Sequence, residues 1–159
     1  MKRKGKGDDM NKNEIRAAVK GVQEEGVRTS LYVRQFDPFI ADEPESLGGT
    51  DQGPNPVEYV LSGLVGCKSV MIAIIAKELD FIYEDVSIEA DGALDMRGLM
   101  GFKGVSPNFQ RASVHITMKT KETEERMKAL MERVGSRCPV MALFTASGIP
   151  VDVTWTLQQ

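Results

Sequence analysis

The chain has 159 residues, 42% of them hydrophobic and 27% charged, with a net charge of −3 and an isoelectric point near 5.3. That size and composition suit one globular domain able to bury a core without disulfide staples. The acidic balance supplies no basic face to neutralise phosphates, so no nucleic-acid partner is expected.

Residues 1–13 are polar and charged and read as a solvated tail, leaving a single domain over residues 14–159. No apolar stretch follows this start, so no secretory signal is expected. Residues 14–22 and 27–36 both alternate apolar with polar side chains around a Gln23-Glu24-Glu25-Gly26 turn, which predicts a hairpin. Residues 41–56, rich in Pro, Gly, Asp and Glu, predict a loop. Asn55, Pro56 and Glu58 then form a helix start, as N-cap, first-turn proline and capping-box acid. The helix to about Leu79 is apolar nearly all round and predicts a central, buried element. Lys68 near its middle argues against a membrane span, and the cytoplasm is the expected location.

Residues 84–90 predict a strand with Val86, Ile88 and Ala90 on one face. Residues 91–108, with four glycines and a proline, predict a long connection. Residues 109–120 alternate most cleanly, with Val114, Ile116 and Met118 inward and His115 outward. An amphipathic helix over 121–134 is expected to break at Gly135-Ser136. Cys138-Pro139 opens a short helix to about Ala146, and residues 150–157 form a last strand. The order of elements predicts an α+β fold.

The chain has two cysteines and one histidine. A structural zinc site needs about four such ligands at close spacing, so no metal is expected. Cysteine is also a small hydrophobe that is often simply buried. Cys67 has apolar helical neighbours, and burial among them raises a thiol pKa, so it would need a cation to ionise. Arginine is the side chain that stays charged when buried. Cys138 stands at the N-terminal end of a helix, where the dipole favours a negative sulfur, so local physics nominates Cys138 as the more acidic thiol. Gly63 and Gly66 flank Cys67 and predict either close helix packing or close approach by the Cys138 segment.

These motifs together resemble the OsmC/Ohr family, named for osmotically inducible protein C and organic hydroperoxide resistance. The likeness runs through Asp42-Glu43-Pro44, Leu47-Gly48-Gly49, Gly53-Pro54-Asn55-Pro56-Val57-Glu58, Gly66-Cys67, residues 90–98 and Cys138-Pro139. The resemblance implies an intertwined homodimer with two long central helices wrapped by antiparallel sheets. It implies a thiol peroxidase that reduces organic hydroperoxides without metal or flavin, reset by an external dithiol reductant. On that pattern Cys67 is the peroxidatic cysteine and Cys138 the resolving one, joined in a disulfide during turnover. The family also places an arginine and a glutamate near the reactive sulfur. In the best-known peroxidase branch the acid directly follows Asn-Pro; here Val57 stands there and Glu58 one later, which is closer to the OsmC-like branch. Arg28 and Arg34 share one face of the second strand, and Arg34 is preferred, with Arg28 the alternative. Glu58 and Cys67, nine residues apart, fall on opposite faces of one helix, so Glu58 would act across the dimer by holding an arginine. Val60, Leu64, Met71 and Ile74 are the expected apolar substrate pocket, suited to alkyl or lipid hydroperoxides. The alternative reading is a non-catalytic dimeric module on this fold, sensing redox state or holding a small ligand.

Overall fold

The structure is a computed structural model, and it describes residues 13–158. The polar start expected over residues 1–13 lies, apart from Asn13, outside them. The chain divides into two compact units, one ending at Pro56 and one beginning at Val57.

The first unit holds a three-stranded antiparallel sheet of β1 (Lys20–Gln23), β2 (Thr29–Tyr32) and β3 (Phe39–Ala41) in that order. The expected hairpin is present but shorter than its alternation suggests. Lys20 pairs with Tyr32, where β2 ends. Residues before Lys20 therefore have no opposite strand, and Ile15 is 95% exposed. Gly26 turns the hairpin at φ +61, while the Glu24 and Arg28 backbones close it through 2.9 and 3.1 Å hydrogen bonds. β3 falls within the 14–41 stretch but was not foreseen, since three residues after a proline carry too little periodicity to read.

Asp42 organises the loop that follows. It is buried, and its carboxylate accepts from the backbone N–H groups of Glu43 (2.9 Å), Thr50 (3.1 Å) and Gln52 (3.2 Å) and from the Thr50 hydroxyl (2.7 Å). These bonds, the Thr50 hydroxyl first, favour the charged form and hold the carboxyl down to about 2.

The second unit begins with α1 (Pro56–Glu78), as expected. Its end is a left-handed cap. Asp80 takes φ +49, Phe81 N–H donates to the Ala76 carbonyl (2.8 Å), and Phe81 and Ala76 both enter the core. The Arg126 guanidinium donates to the carbonyls of Leu79 (3.1 Å) and Asp80 (2.8 Å), tying this end of α1 to a later helix.

The second sheet runs β4 (Asp85–Leu94), β5 (Phe109–Lys119), β6 (Val151–Gln158). β4 extends through Asp91–Gly92 into what reads as a connection, because β5 offers partners down to Phe109. Gly92 makes room there for Phe109: a Cβ would stand 2.7 Å from its ring, which would have to shift. The rest of that connection holds a short helix, α2 (Met96–Leu99), capped by Asp95.

β4 and β5 are antiparallel, but β5 and β6 are parallel. A parallel pair needs a helical crossover, here α3 (Glu124–Arg137) and α4 (Pro139–Ala146). The second sheet is thus mixed where antiparallel pairing was expected. α3 also begins and ends later than its sequence suggests. It starts at Glu124, capped by Thr123, and not at residue 121, and Gly135-Ser136 stays helical. The break comes at Cys138, because a residue before proline is pushed out of the helical region; Cys138 sits at φ −81, ψ 109.

The core of this unit gathers Leu64, Ile72 and Ile75 of α1, Ala112, Val114, Ile116 and Met118 of β5, Met127, Leu130 and Val134 of α3, and Phe144 of α4. β5 buries alternate residues, as its pattern predicts. α1 departs from expectation. It buries one stripe, while Val60, Val70 and Ile74 are exposed on this single chain.

Two outcomes are expected. Ile116→Ala should lower unfolding stability by about 2–5 kcal/mol in denaturant titration. The Asp42 carboxyl is lowered below its ordinary value, so its contribution is present above pH ~4 and lost as pH falls towards 2. Thermal melts from pH 2 to 5 should show a smaller rise in stability with pH for Asp42→Asn than for the parent.

Candidate functional site

The two cysteines meet. Cys67 lies on α1 one turn after Leu64, and Cys138 lies at the joint between α3 and α4, 71 positions later. A thiol hydrogen bond joins their sulfurs at 2.8 Å, and both are free thiols. Cys67 is half-buried and Cys138 is buried at 2% exposure.

The joint at Cys138 has a specific local cause. Pro139 occupies the first position of α4, where its missing N–H is no loss. The next two N–H groups of this helix serve the two sulfurs. Met141 N–H donates to Cys138 Sγ at 3.4 Å, so the thiol caps the helix as a serine would. Val140 N–H donates to Cys67. The tilted rings of Phe144 and Phe109, 5.5 Å between centroids, hold α4 against β5.

The electrostatics hold the Cys67 thiol above its ordinary value. Burial pushes the Cys67 thiol up, and its hydrogen bond with Cys138 pushes the same way; the Val140 N–H and the charge of Lys68 pull it down. The expected raising of Cys67 by its apolar neighbours is therefore present, and so is a cation.

That cation is Lys68, which sequence reasoning used only against a membrane span. It is 1% exposed. It follows Cys67 directly and falls at the four-residue spacing of Leu64 and Ile72, in the middle of the buried stripe of α1. Burial lowers its pKa, while Cys138 first and Cys67 second raise it. Among the described residues no carboxylate forms an ion pair with it. Its position in the Leu64–Ile72–Ile75 stripe was the available signal.

The other anticipated residues are placed as follows. Glu58 is exposed in the first turn of α1 and lines a groove of about 420 Å³ with Leu61, Ser62, Val65, Gly66 and Ala90. Of the apolar set, Leu64 is fully buried in the core and Met71 packs against it. Ile74 is exposed, and Val60 lines a shallow hollow with Phe109, Leu143 and Phe144. Among the described residues no other element comes within 4 Å of where a Cβ on Gly63 or Gly66 would stand, so none of them makes the close approach expected there. The shared strand face proposed for Arg28 and Arg34 is also corrected, since neither lies in β2. Arg28 precedes it and pairs with Glu24 at 3.0 Å. Arg34 follows it in a turn, at φ +49, with its guanidinium 4.7 Å from the Phe36 ring.

His115 stands on the face of β5 opposite the core. Its Nδ1 lies 2.7 Å from the Thr154 hydroxyl, and its Nε2 lies 3.3 Å from those of Thr117 and Thr156. Among the described residues no cluster of three or more His, Cys, Asp and Glu could hold a metal ion.

The chain belongs to the OsmC-like protein family, whose model matches residues 49–154. Its fold is shared with an OsmC-like protein from Mycoplasma pneumoniae, with a TM-score of 0.79 and 18% identity over 92% of this chain and 99% of that one. It is also shared with an organic hydroperoxide resistance protein from Elizabethkingia anophelis, with a TM-score of 0.70 and 14% identity over 93% and 100%. The organic hydroperoxide resistance protein OhrB of Bacillus subtilis gives 0.57 and 18% over 91% and 98%. No curated protein matches the chain in sequence.

Mild oxidation with diamide should convert the pair quantitatively to an intrachain disulfide, seen as a loss of about 2 Da in intact mass. Either cysteine-to-serine variant should not show that loss.

Proposed function

We propose that this protein is a thiol-dependent peroxidase that reduces organic hydroperoxides to alcohols through Cys67 and Cys138. The observation that carries the reading is the 2.8 Å approach of two free sulfurs. Membership of the OsmC-like family supports it, as does a fold shared with proteins named for organic hydroperoxide resistance.

The difference in burial divides the roles. Cys67 is the more accessible sulfur, so it meets the substrate, and Cys138 waits behind it. The Cys67 thiolate attacks the peroxide oxygen distal to the alkyl group. The O–O bond breaks, sulfur loses two electrons, and sulfenic acid and an alkoxide form; the alkoxide takes a proton and leaves as the alcohol. Cys138 then attacks the sulfenic sulfur, expelling water and closing the disulfide. An external dithiol supplies two electrons and two protons by exchange and resets the pair. No metal or flavin enters this cycle.

Of the apolar side chains of α1, Val60, Met71 and Ile74 are not fully buried and favour an alkyl or lipid hydroperoxide over hydrogen peroxide, whereas Leu64 is closed off in the core. The exposed apolar flank of α1 supports a homodimer in which a second copy covers it. In that dimer Glu58 holds an arginine, Arg34 in preference to Arg28, near the reactive sulfur. The working compartment is the cytoplasm, where dithiol reductants keep the pair reduced. A non-catalytic redox-sensing or ligand-binding module is the competing reading, favoured by the burial that raises the Cys67 thiol.

With cumene hydroperoxide and dithiothreitol, the parent protein should consume peroxide catalytically. Cys67→Ser should fall to the rate of the uncatalysed mixture. Cys138→Ser should give one turnover with Cys67 trapped as a dimedone adduct. Continued turnover by Cys67→Ser would remove Cys67 from the chemistry, and an inactive parent with slow thiol alkylation would favour the non-catalytic module.

A further inference from the structure

Lys68 is a lysine placed where a core residue belongs. Its neighbours on the buried stripe of α1 are Leu64, Ile72 and Ile75, all at 0% exposure. Charged side chains are almost never buried to this degree unless paired. Within the second unit and among the described residues, the titratable groups that act on Lys68 are Cys138, from the α3–α4 joint, and Cys67, from its own helix. Those that act on Cys67 are Cys138 and Lys68. The buried lysine stands directly after Cys67 on α1, whose sulfur meets that of Cys138 at 2.8 Å, and the three groups act on one another in a largely apolar core.

We propose that Lys68 is the counter-ion of the cysteine pair, taking its proton and holding the resulting thiolate. The step moves one proton and no electrons: the ε-amine becomes an ammonium, and one thiol of the pair becomes a thiolate. The thiolate keeps the remaining S–H as its hydrogen-bond donor across the 2.8 Å gap, so the pair, not one cysteine, is the ionising unit. Neutral amine with two thiols and ammonium with one thiolate carry the same net charge, so the core stays uncharged overall in both forms. Oxidation removes the thiolate, and with it the partner that makes an ammonium tolerable. Lys68 is therefore neutral beside the disulfide and charged beside the reduced pair. Reduction by a dithiol balances: of its two protons, one goes to the amine and one to a thiol, while the other sulfur remains a thiolate.

The inference deepens the peroxidase reading and rests on it for its purpose, but not for its test. The test is the rate of iodoacetamide alkylation against pH, from pH 5 to 10, for parent, Lys68→Met and Lys68→Arg, with melting temperature and peroxide consumption measured in parallel. Lys68→Met keeps the length of the side chain without its charge. Removing an adjacent opposite charge shifts a pKa by about 1–3 units, so alkylation at pH 7 should slow by about tenfold or more, with the whole profile displaced to higher pH. The same variant should melt at a higher temperature, since an apolar chain replaces a buried charge. Lys68→Arg, which retains a cation, should keep the faster alkylation. A purely structural lysine would leave the pH profile in place, and an unchanged profile in folded Lys68→Met overturns the proposal. If the parent consumes no peroxide while Lys68→Met still slows alkylation, the peroxidase reading falls and the counter-ion stands. If Lys68→Met loses turnover with its alkylation profile unmoved, the counter-ion falls and the peroxidase reading stands.

Discussion

The refusal of Cys138 to continue a helix governs the arrangement of this site. Proline at 139 forces the residue before it into an extended conformation, so one helical path becomes two helices meeting at a thiol. Had α3 run on, the N–H groups of Val140 and Met141 would have closed on carbonyls one turn back. Released by the break, they serve sulfur. The joint therefore does three things at once. It ends α3, caps α4, and holds the second thiol against the first.

The surroundings make that contact consequential. Cys138 belongs to the same buried cluster as Val114 and Ile116 of β5 and Leu130 and Val134 of α3, none of these four above 1% exposed, and Cys67 packs against that cluster. In such a medium a lone thiolate is costly and a lone ammonium equally so, each by several kcal/mol. The core thus brings together two features that each look like a defect when viewed alone, a lysine among isoleucines and a half-buried thiol against a buried one.

Much of this was legible from residue order because it is local. The start of α1 at Asn55-Pro56, the alternation of β5 and the Cys138-Pro139 helix start are all written in neighbouring residues, and all are present. What was missed depends on distant partners. β4 runs past Ala90 because Phe109 and its neighbours lie opposite, and β1 stops short because β2 does. The parallel pairing of β6 depends on how α3 and α4 return the chain, which no strand pattern records. Lys68 was visible, but its meaning was not, because a lysine in an apolar helix reads as a breach of the pattern until its burial beside both sulfurs is known. Gly63 and Gly66 read as a packing surface, and among the described residues of the chain the space beside them is open.

The separation of the two cysteines along the chain has one more consequence. They stand 71 positions apart, a span that takes in β4, β5 and α3, most of the second unit. Closing that loop covalently would remove about 4 kcal/mol of entropy from the unfolded chain. An oxidised molecule awaiting reductant would then be the sturdier form, and a reduced one the looser. Catalytic history would be written into resistance to heat and proteolysis, so a population's unfolding curve would report how much oxidant it had met.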